Sequence, residues 1–194
     1  MLETNPNRPR DGLNMTLTDV EAALMAAVHM NALAAASLAG ALKPLLRKDG
    51  TFDMVDTRRH NVVEHDASFT RNDLNQGDNY SLQPHLLEAL FNDANGGPVT
   101  LKSMAKTYKR RLKESKEGGS PKLSVKLTFV NLLQAAGLVN TASQPGDMLP
   151  KDLVTVFYTE ERFPPAILDN TVDRTVFGLL WRTVKVTWHI VFSR

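Results

Sequence analysis

The chain has no cysteine in 194 residues, so it forms no disulfide, no Cys-ligated zinc or iron–sulfur centre, and no thiol nucleophile. Nor does either sign of charge dominate. Lys+Arg (23) nearly balance Asp+Glu (21), and a formal net charge of +2 gives no bulk electrostatic reason to expect a nucleic-acid or membrane partner. Any basic patch is therefore local. Gly (11) and Pro (10) are too few for a collagen or low-complexity chain, and 42% hydrophobic content excludes disorder. A globular domain of this length buries roughly 70% of its unfolded surface. An apolar leader is also lacking: MLETNPNRPRDG is polar and carries Pro and Gly, so the expected location is cytoplasmic. The one run free of Asp, Glu, Lys and Arg that resembles a membrane span, Ala22 to Leu42, is built on Ala and interrupted by His29, Asn31, Ser37 and Gly40. Ala supplies little transfer energy, and the run reads as a buried core helix.

What remains is mostly helical in pattern. Thr18 with Glu21 three residues on predicts a capping box for a first helix reaching Leu42, before Pro44. The stretch from Arg47 to Ser81 is rich in Gly, Asp, Asn and Thr and reads as a long loop with a helical turn or two. Loops of that length are uncommon unless they are functional. Ser81 and Pro84 start a short helix, Thr100 starts a basic one over 101–117, 127–139 reads as an apolar helix, and 150–163 as another closed by Pro164 and Pro165. In the tail, VFGLLWRTVKVTWHIVFSR, helix and strand templates compete. The expectation is an all-α domain of about six helices with an undecided C-terminal segment. The Lys and Arg residues of 102–116, with only Tyr108 to stack a base, read as a solvated face rather than a nucleic-acid site. Trp181, Trp188, Arg182 and Lys185 in the tail are compatible with a membrane surface.

The densest polar cluster is His60-Asn-Val-Val-Glu64-His65-Asp66-Ala-Ser68-Phe-Thr-Arg71. Glu64 and Ser68 offer hard oxygen ligands suited to Mg²⁺ once a further anionic ligand completes the shell, and His65 facing a cavity has the chemistry to shuttle a proton near neutral pH. The plain alternative is a solvent-facing loop in which Arg71 pairs with Asp66. An inverted zinc-protease motif does not fit, because three residues rather than two separate His60 from Glu64-His65 and no third ligand is placed.

Glu64-His65-Asp66-Ala67-Ser68-Phe69-Thr70-Arg71 resembles the EHD-x-S-x-x-R signature of the fungal heme-thiolate peroxidases, the chloroperoxidase and short unspecific-peroxygenase family. Upstream, Pro9-Arg10-Asp11-Gly12 with Asn14 and Thr16 resembles the family's step into its first helix. Downstream, Phe157-Tyr158-Thr159-Glu160-Glu161-Arg162-Phe163-Pro164 resembles its FFxEERLP-like helix end. The likeness spans roughly residues 9 to 165, with 166–194 as a divergent tail.

The resemblance implies a compact chloroperoxidase-like helical domain around heme b, which oxidises a small organic substrate with hydrogen peroxide, with fungal secondary metabolism as the expected setting. It implies Mg²⁺ or Mn²⁺ beside a heme propionate, held by Glu64, the His65 carbonyl and Ser68, with His65 also serving at the distal side as the catalytic residue. Two departures stand beside it. The family's heme-ligating Pro-Cys-Pro motif is absent and would fall a few residues before Met1, and that thiolate is what favours O–O cleavage. The family's distal glutamate falls on Ala136, whose methyl accepts no proton; losing such acid–base help removes about 10² to 10⁴ in rate. Glu160 and Glu161 match a structural helix end. The alternative expectation is a heme-free or inactive relative that binds a small molecule in the same pocket, or serves as a non-redox biosynthetic enzyme there.

Overall fold

A computed structural model describes residues 11–142 and 146–193. Thr16, not Thr18, caps the first helix: its hydroxyl accepts the Asp19 N–H at 3.2 Å, while the Asp19 carboxylate accepts the Thr16 N–H at 3.0 Å. This helix, α1, runs Leu17–Val28 and stops where His29 turns left-handed at φ 54. Asn31 then caps α2 (Ala32–Gly40), its side-chain oxygen accepting the Ala34 N–H at 2.9 Å. The single Ala-rich helix expected to Leu42 is therefore two, because an Asn placed ahead of an Ala run satisfies a new helix start better than it continues an old one. His29 is correspondingly not a core histidine. It is exposed and lies 3.3 Å from Asp173.

The loop to Ser81 contains only single turns, Met54–Arg58 and Leu74–Gln76. Helix α3 (Pro84–Asp93) opens on Pro84 without the cap expected from Ser81, and Gln83 precedes it. Thr100 does cap α4 (Leu101–Glu117), reciprocally with Ser103. Just ahead of α4, strand β1 (Val99–Thr100) pairs antiparallel with β2 (Met148–Leu149), Val99 opposite Leu149. Helices α5 (Val125–Ala142), α6 (Lys151–Thr159), α7 (Pro165–Leu168) and α8 (Val176–Phe192) complete the described chain. The class is all-α. The excess over about six helices comes from the break at His29 and the short α7.

The undecided tail is α8, started by Thr175 capping the Gly178 N–H at 2.9 Å. It packs chiefly on α5 and α4, and Val186 is fully buried with Met104, Val139 and Val154. Each such side chain contributes about 1.5–3 kcal/mol of transfer energy. Helix wins over strand here because the only ladder among the described residues is two residues long and offers α8 no edge. Helices α4 and α5, packed on α8, form the backing against which the 60–73 loop is laid.

Candidate functional site

The 60–73 segment has no regular structure, yet most of it is buried. Two side chains from the helical backing hold it. Arg111 of α4, 2% exposed, donates to the Ser68 carbonyl at 2.6 Å and to Asp73 at 2.9 Å. Asn131 of α5 donates to the Ala67 carbonyl at 3.3 Å. Asp73 in turn accepts the Ala67 N–H at 2.8 Å and the Ser120 hydroxyl at 2.7 Å. Ala67 sits in the left-handed region at φ 59 with no exposed surface. That conformation is costly for a residue with a Cβ, and this network holds it in place.

Within this frame, Glu64 is buried and its Oε2 meets His60 Nδ1 at 2.6 Å, while His60 Nε2 lies 3.7 Å from Asp66. Glu64 Oε1 has no hydrogen-bond partner among the described residues. A buried unpaired oxygen costs about 1–3 kcal/mol, more when charged. His65 is 2% exposed and its Nδ1 lies 2.7 Å from the Asp66 carbonyl. Facing a carbonyl, Nδ1 carries the proton, so in the neutral ring Nε2 holds the lone pair. Ser68 donates to the His65 carbonyl at 2.9 Å. The Asp66 carboxylate accepts the Leu74 N–H at 2.9 Å. The pairing of Arg71 with Asp66 weighed from the sequence does not form; His60 is the cation-capable neighbour of both carboxylates.

Glu64 forms part of the wall of a cavity of about 590 Å³, together with Arg71, Tyr158, Phe157, Phe163 and the Met54–Arg58 turn. The turn is positioned by the start of the described chain: the Met54 N–H donates to the Gly12 carbonyl at 2.7 Å, and the Asn14 N–H to Asp53 at 2.8 Å. Gly12 has φ +73, and a Cβ there would meet Met54 Cβ at 3.0 Å, so any other residue is strained there. Pro9 and Arg10, which open that motif, lie outside the described residues. Arg58 stacks over the Tyr80 ring at 4.0 Å on one side of the cavity. Burial pushes the Tyr158 phenol up from its ordinary pKa, an effect that the Arg71 charge and a hydrogen bond with Thr70 only partly offset. Glu161 also reaches the wall, at φ 49 just past α6, whereas Glu160 pairs with Arg162 at 2.6 Å.

Of the residues expected at the site, Glu64 lines the cavity. His65 and Ser68 lie just behind it in the loop and are not among its lining residues. Ala136 is fully buried in α5 within the core. Arg111 and Asn131 were not anticipated, and the reading of 102–116 as a solvated face fails at Arg111. The signal was present: Leu101, Met104, Tyr108, Arg111 and Ser115 fall on one buried helical stripe.

The size of the cavity suits a drug- to cofactor-sized ligand. Arg58, Arg71 and Arg162 suit carboxylates, and the aromatic rings suit a flat apolar body. No imidazole or thiol lines it among the described residues, so the lining offers partners for carboxylates and a flat ring system but no nitrogen or sulfur ligand for an iron. Among the described residues no cluster of three His, Cys, Asp or Glu side chains is placed to hold a metal. Compared with known families, residues 8–175 match the family described as Peroxidase, family 2. No curated protein matches the chain.

Proposed function

The chain belongs to peroxidase family 2, and from that premise we propose that its cavity binds heme b and that the protein is an oxidoreductase using hydrogen peroxide on a small organic substrate. The observation that carries this reading is the unpaired Glu64 Oε1 at the wall of a 590 Å³ cavity whose cations suit propionates. When bound, heme supplies the redox chemistry. The chain's own residues supply the rest. Arg58 and Arg71 orient acidic groups, and the rings of Phe157, Tyr158 and Phe163 exclude water from one wall. A Mg²⁺ or Mn²⁺ would be held by Glu64 Oε1, the His65 carbonyl and Ser68 Oγ, and would give the orphaned oxygen a partner. His65, fixed through Nδ1, keeps Nε2 as the nitrogen available to a proton.

That no imidazole or thiol among the described residues lines the wall favours a second reading, a heme-free relative that binds a small organic acid in the same cavity. Heme titration of the 194-residue chain in the presence of Mg²⁺, followed at the Soret band, separates the two. The first reading expects saturable, stoichiometric uptake that Glu64→Gln and Arg71→Met each weaken by about tenfold, in line with the loss of one charge-assisted contact. A folded chain that takes up no heme overturns it and leaves the second.

A further inference from the structure

Helix α8 buries one face and leaves the other bare. Phe177, Trp181, Val184, Trp188 and Val191 recur every three to four residues along it and Phe192 adjoins the last, all more than half exposed, with Phe177 at 81%. Both tryptophans of the chain are on this face, and the Trp188 and Phe192 rings stack at 4.2 Å. Arg182 and Lys185 are not free to face a partner, since both are bound to Asp147, at 2.7 and 3.1 Å. No Asp or Glu occurs between Val176 and Phe192.

At the C-terminal end of α8 the apolar stripe meets a basic edge. Lys102, Lys106 and Lys109 of α4 line a 270 Å³ hollow with His189 and Ser193, and Lys109 Nζ reaches the Ile190 carbonyl at 3.5 Å. The carboxylate there, Asp93, is already taken by Arg110 and Thr107 at 2.9 Å each. All three lysines are exposed.

We propose that this face docks on the surface of an anionic lipid bilayer, with α8 lying in the interface plane, its aromatic stripe at the headgroup boundary and the α4 lysines on lipid phosphates and carboxylates. Trp at such a boundary places its ring among the acyl carbons and its N–H in the wet layer. Seventeen residues make a helix about 25 Å long, short of the roughly 30 Å needed to cross, and no helix among the described residues is long and apolar enough to span. Charge complementarity decides against a second copy as the occupant. A self-complementary pairing brings α8, which carries no carboxylate, against its partner's lysine edge. One helix face is also small beside the roughly 800 Å² per partner of a standard stable interface. The inference is independent of what the cavity binds.

The test uses the full chain with vesicles of phosphatidylcholine, with and without phosphatidylserine, read by flotation and tryptophan emission. Because both tryptophans lie on the stripe, docking shifts the whole tryptophan signal to the blue. The expected result is binding to the serine-lipid vesicles that falls with salt. Replacing Lys102, Lys106 and Lys109 by Ala costs about a hundredfold in affinity, at about fivefold per lysine. Trp188→Glu, at a position 60% exposed, abolishes flotation while leaving the far-ultraviolet spectrum unchanged. A chain that stays monomeric and ignores both vesicles overturns the proposal, as does one that dimerises in sedimentation without binding lipid.

Discussion

Replacing Arg111 by Met tests whether the 60–73 loop owes its shape to the helical backing. The guanidinium is 3% exposed and Asp73 fully buried, and the substitution leaves that carboxylate without its cation. It also removes the donors to the Ser68 and Arg71 carbonyls, at 2.6 and 3.4 Å. Breaking a buried pair from one side costs about 3–5 kcal/mol, far more than the pair contributes over an apolar substitute. For a domain of this size each kcal/mol lowers the midpoint by about 2–4 °C, so the melt should fall by roughly 6–20 °C. Asp73→Asn should cost less, because the amide oxygen still accepts the Ala67 N–H. The double variant should recover about 1–3 kcal/mol relative to the sum of the singles. Arg110→Met is the internal control: Arg110 is a more exposed neighbour paired with Asp93 and Glu114, and because Asp93 keeps the Thr107 hydroxyl at 2.9 Å its loss should cost less than that of Arg111. Thermal melts of the four variants by circular dichroism decide the matter. A loss below about 1 kcal/mol for Arg111→Met, or strict additivity with Asp73→Asn, would refute the claim that this pair holds the loop.

Two further outcomes follow from the same geometry. Ala67→Val puts a β-branched side chain at φ 59 in a site with no free surface and should cost at least about 2 kcal/mol in urea unfolding; an unchanged midpoint would mean the loop takes another path. Burial pushes the Asp147 carboxyl up, but the hydrogen bond from Lys185 and the Arg182 charge outweigh it and hold the group below its ordinary value. A depressed carboxylate pKa contributes stability that is complete above the unfolded value of about 4 and is lost as the pH falls through the folded value. Asp147→Asn should therefore make the acid limb of the stability curve shallower while costing stability at pH 7. An acid limb of unchanged slope would remove Asp147 from the account.

The parts of the fold legible in sequence were those with local causes. Thr100 ahead of a basic amphipathic run specifies α4 and its start by itself. The tail was not legible, because Val, Thr and Trp suit strand and helix alike, and the choice was made by what surrounds it: a groove between α4 and α5 that accepts a helix. The split of the first helix was in principle visible, since Asn31 ahead of Ala32–Gly40 is a capping signal, but the Ala content on both sides masked it. At the candidate site, polar density picked out a segment that is mostly buried and borders the cavity, and mispaired its members. Sequence proximity suggested Arg71 with Asp66, whereas the tight turn at Asn61 (φ 66) folds His60 back onto Glu64. Arg111, 38 residues from Asp73, enters the loop only through tertiary packing.

The loop's own bookkeeping separates a site from a structural feature. Asp66 is engaged by the Leu74 N–H, Ser68 by the His65 carbonyl, His65 by the Asp66 carbonyl, and Asp73 by Arg111, Ala67 and Ser120. Against that completeness, Glu64 is the loop side chain that keeps a buried oxygen with no partner among the described residues, as Asn131 Oδ1 does in the backing, and of the two residues only Glu64 lines the cavity. Glu64→Gln preserves the shape and removes the charge, so it lowers the desolvation cost while weakening the 2.6 Å contact with His60. These two effects are of similar size, so the melt of the ligand-free variant should move by less than about 1 kcal/mol. Heme affinity, by contrast, should drop by about tenfold on the proposed reading, which assigns that charge to the cation. A group kept for binding leaves stability unmoved and affinity lowered; a group kept for folding does the reverse. If Glu64→Gln destabilises the chain by several kcal/mol and leaves uptake unchanged, the unpaired oxygen is a cost of the loop's architecture and the cation site is wrong.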